Sequence, residues 1–500
     1  MKIWLDTSYQ SYPVRNGGDD DCPGPGEPLS CITWPLAMPD IASSLVLQHA
    51  QSLHVQKCSN ERWLVCSPVV SGRIAVLDAQ AIALLALFQT ATPLSQVANV
   101  GTLSRWTQED LEKFVILFYY LGFLQDATML SPPSKPEETR MLTAWVHLTN
   151  ECNLRCHYCY LHKTREDMPV EVGRRTVDAI FRSARKHNIK KVKLKYAGGE
   201  VSLHMMGVMA LHDYAAQLAS DHDITLEAVL LSNGVVLSPR TIEYLKARQI
   251  AVTISLDGLG KYHDSQRPFP GGQGSSKYVL QTIDRLLANG MTPFLAVTVS
   301  QRNLAGLPEF MQYILEWKLP FSLNYYRDNE CSSHHADLRS TDEQIIVAMR
   351  STFAVIEKNL PESNLLGCLL DKADMTTPHR RTCGVGQDYL VIDQRGGVAK
   401  CQMDIRNTIA TVDSDDPLRI IRADRQGVQG HPVEEKEGCR ECSWRHWCTG
   451  GCPLLTYGLT GRYDVKSPNC AIYKALFPEA LRLEALRLLR YKTPFDFTNM

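Results

Sequence analysis

Three cysteines within eight residues are the most chemically specific feature of the sequence. Cys152, Cys156 and Cys159 are separated by three and then by two residues. Thiolates are soft ligands, and such close spacing suits either a tetrahedral zinc ion or an iron–sulfur cluster. A structural zinc site takes four protein ligands, whereas a cluster held by three cysteines leaves one iron open for chemistry. Three ordinary buried thiols are the simpler alternative.

A second set of seven cysteines occurs towards the C-terminus. Twelve residues separate the first of them from Gly396, four separate Gly396 from the second, and the next four form the series C-x2-C-x5-C-x3-C. A zinc ribbon is the alternative for the C-x2-C pair taken alone. Seven cysteines with these gaps indicate metal ligands rather than unpaired thiols of a core. The set comprises Cys383, Cys401, Cys439, Cys442, Cys448, Cys452 and Cys470.

Composition argues against several classes of function. The formal net charge of −1 at pH 7 gives no general attraction to nucleic acid or to an anionic membrane. The first residues contain no apolar signal core, and the longest apolar runs, 74–88 and 111–124, contain charges and are too short to span a bilayer. We therefore expect a cytoplasmic protein, and in that reducing compartment sixteen cysteines favour metal ligands or free thiols over disulfides.

From residue 141 onwards, strand-like and helix-like segments alternate. Six such β/α units predict an α/β fold with a parallel sheet and right-handed crossovers. The predicted strands are 142–148, 192–196, 226–231, 251–256, 293–299 and 321–325. The predicted helices between them are 172–186, 206–220, 239–248, 276–289 and 307–317.

Short polar motifs fall at the ends of these strands, where such folds carry out their chemistry. Gly198-Gly199-Glu200 follows the second strand, and its glycines would let the backbone approach a ligand while its carboxylate would attract an ammonium group. A plain turn is the alternative for Asn233, and a surface ion pair is the alternative for Arg267. The further candidates are Asn233 after the third strand, Ser255 and Asp257 at the end of the fourth, Arg267 ten residues later, and Asp328 or Arg327 after the sixth.

The first cysteine loop, with an aromatic residue directly before its third cysteine, resembles the signature of radical S-adenosylmethionine (radical SAM) enzymes. The resemblance implies a partial (β/α)6 TIM-like barrel in which Cys152, Cys156 and Cys159 hold a catalytic [4Fe-4S] cluster. The open iron would bind SAM, and one electron would cleave SAM to methionine and a 5′-deoxyadenosyl radical. The implied SAM contacts are Tyr158 near the adenine, Gly198, Gly199 and Glu200 at the amino group, Arg267 at the carboxylate, and Asn233, Ser255 and Asp257 at the strand ends.

The C-terminal cysteine pattern resembles the SPASM domain, which carries two auxiliary [4Fe-4S] clusters in radical SAM maturases. Carried over by position, Cys383, Cys401 and Cys452 would hold the first auxiliary cluster. The first cluster then lacks one ligand, and either Cys368 fills that place or one iron stays open to substrate. The second auxiliary cluster would be held by Cys439, Cys442, Cys448 and Cys470.

Residues 41–130 are predicted to form a small domain in which strands precede helices. Asp78 can cap one helix, Thr107 can cap another, and Gly122 can end it. This winged-helix-like order, together with Pro93-Leu94-Ser95-Gln96-Val97 and Tyr120-Leu121-Gly122-Phe123-Leu124, resembles the PqqD-like domain, also called the RiPP recognition element. In that family the domain binds the leader of a precursor peptide as an added edge strand. A generic winged-helix or capping domain is the alternative.

These resemblances divide the chain into predicted regions. The clearest boundary is a polar, proline-rich linker at 131–140. The regions are an N-terminal arm (1–40), the PqqD-like domain (41–130), the linker (131–140), the radical SAM core (141–330), a bridge (331–380), the SPASM domain (381–475) and a C-terminal helix (476–500).

The implied function is a radical SAM enzyme that modifies a ribosomally made peptide. Its product would be an intramolecular crosslink through a thioether, C–C or C–O bond, and the auxiliary clusters would accept the electron left over. The expected partners are a precursor peptide with its leader and an electron donor such as flavodoxin or ferredoxin, with no nucleic acid and no membrane. Alternatives are a maturase of a larger protein subunit, a sulfatase-type formylglycine-generating enzyme, and a non-enzymatic Fe–S or zinc peptide-binding protein.

Overall fold

The computed structural model describes residues 1–6, 45–99, 106–128 and 141–495. The predicted linker at 131–140 and most of the predicted arm lie outside these ranges. No helix in the described part of the chain is both long and apolar enough to cross a membrane. The predicted domain boundaries therefore stay predictions, while the helices and strands can be compared one by one.

The N-terminal region combines short antiparallel strands with two α-helices. Its elements are β1 (Ile3–Leu5), β2 (Val46–His49), β3 (His54–Ser59), β4 (Arg62–Cys66), β5 (Ile74–Asp78), α1 (Ala79–Ala86), β6 (Thr92–Pro93), α2 (Gln108–Tyr120) and β7 (Leu124–Asp126). Among the described residues, one sheet has the order β1-β5-β4-β3 and another has the order β6-β2-β7. The strand β1 lies within the predicted arm, and β3, β6 and β7 were not predicted from the sequence.

The predicted helix ends of this region are confirmed. The Asp78 side chain accepts hydrogen bonds from the backbone at the start of α1. Thr107 and Asp110 form a reciprocal capping box at the start of α2, and Gly122 follows that helix with φ of +72°. These caps satisfy backbone N–H groups that have no partner inside the helix, which explains why the helices begin at these residues.

Six consecutive strands of the next region are parallel and lie side by side in chain order. The elements are β8 (Leu142–His147), α3 (Val170–Lys186), β9 (Lys191–Ala197), α4 (Met205–Asp221), β10 (Thr225–Ser232), α5 (Pro239–Ala247), β11 (Ala251–Ser255), α6 (Lys261–Asp264), α7 (Ser276–Ala288), β12 (Phe294–Val299), α8 (Leu307–Glu316) and β13 (Phe321–Tyr325). The predicted α/β alternation is confirmed, with ends within about two residues of the predicted ones. The curvature of the strands into a partial barrel stays a prediction.

The C-terminal region extends the same sheet and ends in a long helix. Its elements are α9 (Asp342–Lys358), β14 (Tyr389–Ile392), β15 (Gly397–Ala399), β16 (Ala410–Thr411), α10 (Pro417–Ala423), α11 (Arg445–Cys448), α12 (Pro453–Thr460) and α13 (Cys470–Tyr491). Strand β14 pairs in parallel with β8 and antiparallel with β15. Strands β14 and β15 thereby form a hairpin, with Gly396 at φ of +87° in its turn.

The last helix crosses residue 476, where the predicted C-terminal region begins. It starts at Cys470 and ends at Tyr491. The reason is packing, because Ile472 and Tyr473 are buried and extend the apolar face of the helix back to its first turn. The first turn of α13 therefore carries a predicted cluster ligand.

The N-terminal sheet packs directly on α13. Trp4, Leu64 and Val76 belong to the main apolar core together with residues of that helix. A buried ion pair joins Asp6 to Arg487, with 2.6 Å between Oδ2 and Nη2. Removing residues 41–130 would therefore expose the apolar face of α13 as well as remove a domain.

Candidate active site

The first cysteine loop follows β8 and is tied to the segment that follows β11. The N–H of Arg155 donates to Pro268 O at 2.8 Å, and the N–H of His157 donates to Gln266 O at 2.9 Å. The N–H of Cys159 donates to Cys156 O at 3.1 Å, which closes a turn between two of the thiols. These bonds are between backbone groups, so they fix the path of the loop whatever side chains it carries.

The three predicted ligand thiols lie close to one another and to cations. Burial raises the pKa of Cys156 to about 12, and nearby Cys159 and Cys152 raise it while Arg267 opposes them. Lys163 Nζ donates to Cys159 Sγ at 2.9 Å. Bound thiolates are stabilised by cations and hydrogen-bond donors, so this environment suits ligands that carry negative charge.

The Gly-Gly-Glu motif lies against the cysteine loop, and both glycines are needed for that contact; their predicted approach to a ligand stays a prediction. The N–H of Gly199 donates to Thr149 O at 2.6 Å. A Cβ on Gly199 would lie 2.4 Å from Glu151 O, and one on Gly198 would lie 2.6 Å from Thr149 O. The close approach that needs glycine is to the backbone of this chain, so the motif supports the loop from beneath.

Glu200 is buried and ties the end of β9 to the end of β10. Its carboxylate accepts from Ser232 Oγ at 2.7 Å, from Asn233 N at 2.6 Å and from Ser202 N at 3.0 Å. A carboxylate has about four acceptor sites, so roughly one is left for the predicted ammonium group. Asn233 in turn donates to Asn153 Oδ1 at 2.7 Å, which connects Glu200 to the cysteine loop.

Tyr158, Asp257 and Arg267 form a buried polar network. Tyr158 donates to Asp257 Oδ2 at 2.7 Å, Thr298 N donates to Asp257 Oδ1 at 2.9 Å, and Arg267 donates to the Tyr158 hydroxyl. Burial raises the pKa of Asp257, and the Arg267 charge opposes this rise. The alternative of a surface ion pair for Arg267 is wrong, because only 6% of the residue is exposed. The predicted contacts of these residues and of half-buried Ser255 with SAM stay predictions.

Arg327 and Asp328 are not brought into this site. Arg327 is buried and donates to both carboxylate oxygens of Asp371, at 2.7 and 2.8 Å. Asp328 is exposed and pairs with Arg339 at 2.6 Å. Asp328 thus forms a surface ion pair in this structure, and its catalytic role stays a prediction.

Several residues near the site were not predicted, among them Asn329, which donates from Nδ2 to Tyr158 O at 3.1 Å. Lys163 lies four residues after Cys159, and this short spacing is the sequence feature that could have predicted their contact. Cys331 lies beside the loop, with its Sγ 3.5 Å from Tyr160 O and 3.6 Å from His162 Nε2. Nothing in the sequence brings Cys331 together with this loop, because the two are joined only by the fold.

The electrostatic effects among the C-terminal cysteines act within the two predicted groups, whose roles as ligands stay predictions. Burial, and after it the Cys452 and Cys383 thiols, raise the pKa of Cys401 to about 12. We call these three the first group. Burial likewise raises the pKa of Cys448 to about 12, and its interacting thiols are the other members of the second group, Cys439, Cys442 and Cys470.

A left-handed turn separates the two groups between Cys448 and Cys452. Thr449, Gly450 and Gly451 have φ of +45°, +78° and +66°. Because of this turn, two cysteines that are four residues apart join different groups. A Cβ on Gly450 would lie 2.6 Å from Lys436 Cδ, so glycine is needed there for space as well as for conformation.

The turn is held from both sides. Thr382, next to the first group, donates to Gly451 O at 2.8 Å. Lys436 donates from Nζ to Thr449 O at 2.7 Å.

The proposed extra ligand, Cys368, donates to Leu365 O at 3.2 Å and lies in the aliphatic core. Its link to the first group stays a prediction.

The donor set of the cysteine groups suits iron–sulfur clusters, which are held by Cys thiolates. Within the described ranges, no three His, Cys, Asp or Glu side chains are placed to hold one metal ion. The cysteines of a cluster bind separate irons, so their sulfurs need not meet at one point. Neighbouring thiols with a lysine beside each set fit that requirement.

Comparisons with known proteins agree with this geometry. Residues 146–314 match the family model of the radical SAM superfamily. The subtilosin biosynthesis protein AlbA of Bacillus subtilis is 28% identical over 283 residues, which are 52% of this chain and 55% of AlbA. The sporulation killing factor maturation protein SkfB of the same organism is 26% identical over 163 residues, 32% of this chain and 37% of SkfB. The chain thus spans about half or less of these relatives.

A solved structure resembles a longer part of the chain. Native anSMEcpe with bound AdoMet and the Cp18Cys peptide has a TM-score of 0.58 and 16% identity, and the match covers 69% of this chain and 99% of that chain. At that identity the likeness concerns the fold alone. The family match includes the cysteine loop, and we conclude that residues 146–314 of this chain form a radical SAM domain.

Proposed function

We propose that the protein is a radical SAM maturase that crosslinks a ribosomally made peptide, with two auxiliary clusters in a SPASM domain. The observation that carries the proposal is the match of residues 146–314, which include the loop of Cys152, Cys156 and Cys159, to the radical SAM family; the seven further cysteines supply the proposed ligands of the auxiliary clusters. Relatives named for the biosynthesis of subtilosin and the maturation of a sporulation killing factor support a peptide substrate.

Cys152, Cys156 and Cys159 would hold the cluster that binds SAM. When bound, the cluster and SAM supply a 5′-deoxyadenosyl radical that abstracts a hydrogen atom. The remaining acceptor site of Glu200 would bind the SAM ammonium. Arg267 would orient the SAM carboxylate, since guanidinium groups bind carboxylates well. The Tyr158–Asp257 bond would hold that guanidinium in place.

The auxiliary groups would take the electron that crosslinking leaves over. Forming one crosslink removes two hydrogen atoms from the peptide; the radical takes one, and the other leaves as a proton and an electron. The first group is the better candidate for contact with substrate, because it has three cysteines and the second has four. An external donor such as flavodoxin or ferredoxin would supply the electron that cleaves SAM.

The N-terminal region would bind the leader of the precursor peptide. Leader binding by strand addition needs an open sheet edge. In the described residues β1 covers the outer side of β5, which leaves β3 as the other edge of that sheet. We therefore expect the leader to slow amide exchange across His54–Ser59 and not across Ile3–Leu5; protection of β1 alone would contradict this part of the proposal.

The proposal is tested by the metal content and turnover of anaerobically purified protein. About twelve iron per chain, four for each of three clusters, with 5′-deoxyadenosine formed from SAM, is the expected result. A peptide product lighter by two hydrogen atoms would identify a crosslink. Zinc without iron and without SAM cleavage would instead indicate a non-enzymatic metal protein, and a formylglycine product would indicate the sulfatase-type reaction.

A further inference from the structure

Lys436 is a buried cation with an unusual set of neighbours. Only 2% of the residue is exposed. Its Nζ donates to Thr449 O at 2.7 Å, and across the described parts of the chain no Asp or Glu pairs with it. Other buried cations differ: Arg327 pairs with Asp371, and Lys400 pairs with Asp424. A buried charge without a partner is costly, so the partner of Lys436 has to be sought elsewhere.

The neighbours of Lys436 are thiols from both C-terminal groups. Burial lowers the pKa of the Lys436 ammonium, and the thiols that oppose this are Cys439 and Cys448 of the second group and Cys383 and Cys452 of the first. These four belong to the proposed ligand sets of two different clusters. Thiolate ligands give a bound cluster a net negative charge. The negative charge of the two clusters would then act as the counter-ion of the Lys436 ammonium.

We propose that Lys436 is a positioning residue that bridges the two auxiliary clusters electrostatically and makes both of them easier to reduce. The inference rests on the proposed function. Reduction adds one electron and so one negative charge to a cluster. A fixed positive charge nearby stabilises the reduced form more than the oxidised form, and charge and hydrogen bonds are known determinants of cluster potential. Lys436 would therefore favour the flow of electrons from the peptide into the auxiliary clusters.

The backbone around Lys436 supports a positioning role. The left-handed turn at 449–451 packs on the lysine, since Gly450 leaves room for its Cδ and Nζ, and the Thr449 carbonyl accepts its hydrogen bond. The turn also directs Cys448 and Cys452 into different groups. One lysine thus contacts the segment that connects both clusters, which explains why it can act on the two together.

The test is a potentiometric titration, followed by electron paramagnetic resonance, of the full-length holoprotein and its variants. Lys436→Met should raise the oxidised-to-reduced ratio of both auxiliary clusters at a fixed potential about tenfold, which is about 59 mV for a one-electron couple. Lys436→Arg keeps the charge and should stay close to the parent protein. Lys163→Met is the matched control, because it removes the lysine beside Cys159 and should shift the SAM-binding cluster alone.

Each outcome decides the inference. Unchanged auxiliary potentials in Lys436→Met, or an equal shift in Lys436→Arg, would overturn it. If Lys436→Met loses auxiliary iron, retention of that iron and of the parent potentials by Lys436→Arg supports a role of the charge, whereas loss in both variants overturns it. A parent protein with about four iron per chain would remove the auxiliary clusters of the proposed function together with this inference. About twelve iron with unshifted potentials would remove the inference alone.

Discussion

The two cysteine regions of this molecule are built in different ways. The first loop takes its three thiols from one short segment, and the ends of β9, β10 and β11 hold it through Glu200, Asn233 and backbone bonds. The C-terminal groups gather their thiols from a long segment, and turns and the first residue of α13 hold them. The carboxyl ends of parallel strands support the first loop, whereas the packing of turns and irregular segments supports the C-terminal groups.

This difference predicts which substitutions should impair each cysteine region. The first loop depends on a small number of close contacts beneath it, so single substitutions there should affect SAM chemistry and leave the auxiliary groups intact. The auxiliary groups depend on Lys436, Thr449 and Thr382, which lie between them. Substitutions there should affect electron transfer and leave SAM cleavage intact. Independence of the two regions is therefore the property to test.

The largest expected effect is the loss of SAM cleavage when the first loop is disabled. Replacing Cys152, Cys156 and Cys159 together by Ala should reduce 5′-deoxyadenosine formation to background, because no ligand remains for the proposed cluster. Iron should fall from about twelve to about eight per chain, measured by elemental analysis. Retained SAM cleavage would contradict the assignment, and a fall to zero iron would contradict the independence of the regions.

Disabling the first auxiliary group should have the opposite effect, because crosslinking should be lost while SAM cleavage continues. Cys401→Ala should also lower iron to about eight per chain, while SAM cleavage continues and crosslinked peptide disappears. Mass spectrometry of the peptide and chromatography of deoxyadenosine measure the two outcomes on the same sample. Crosslinking that survives in Cys401→Ala would show that the first group is not the electron acceptor.

Much of the first region could be predicted from the sequence, and the reason is locality. Cys152, Cys156 and Cys159 are close in the chain, so their spacing alone defines a site, and strand alternation placed Glu200 and Asn233 beside it. The contacts that need the fold were not predicted. Cys331 reaches this loop from beyond β13, and no local pattern contains such a pairing.

The second region shows the same limit in another form. The resemblance assigned the cysteines to two groups, but nothing in the sequence indicated that Lys436 lies against the turn between Cys448 and Cys452, since a single lysine in a polar segment is ordinarily a solvated one. The side chain of Asp328 shows a related limit. A residue just beyond a strand can face the site or the solvent, and the ion pair of Asp328 with Arg339 joins two residues that are not neighbours in sequence.

Removal of the buried guanidinium should strongly destabilise the first region. Arg267→Met leaves the buried Asp257 without its nearest cation and should lower the free energy of unfolding by about 3–5 kcal/mol. The matched control is Arg339→Met, which breaks the exposed pair with Asp328 and should cost at most about 1 kcal/mol. Denaturant unfolding measures both, and equal losses would show that burial does not distinguish the two arginines.

Lowering the pH should reduce the folding stability of the first region, because one buried histidine must then take up a proton. His147, at the end of β8, is fully buried and its Nε2 lies 2.7 Å from Asn150 Oδ1. Burial lowers its pKa from 6.5 to about 4. Between those values the unfolded chain binds a proton that the folded chain does not, so stability falls as pH falls across this window and levels off below it. The total loss attributable to this residue is about 3 kcal/mol.

The test of this pH dependence compares unfolding free energies at several pH values between 7 and about 4 in the parent protein and in His147→Gln. The difference between the two proteins should shrink or reverse as pH falls, because glutamine does not titrate. A constant difference at every pH would contradict the shifted pKa of His147.

The smallest expected effect is steric and lies beneath the cysteine loop. In Gly199→Ala the new methyl group would meet Glu151 O at 2.4 Å, a backbone atom that cannot move without displacing the loop. Overpacking of this kind costs about 1–3 kcal/mol, and the displaced loop should bind less iron while the auxiliary content stays the same. Gly458→Ala is the matched control, because a Cβ there meets nothing within 4 Å in α12, and it should stabilise the helix by about 0.4–1 kcal/mol. An equal loss of auxiliary iron and loop iron in Gly199→Ala would show that the two regions are coupled, which would contradict their structural independence.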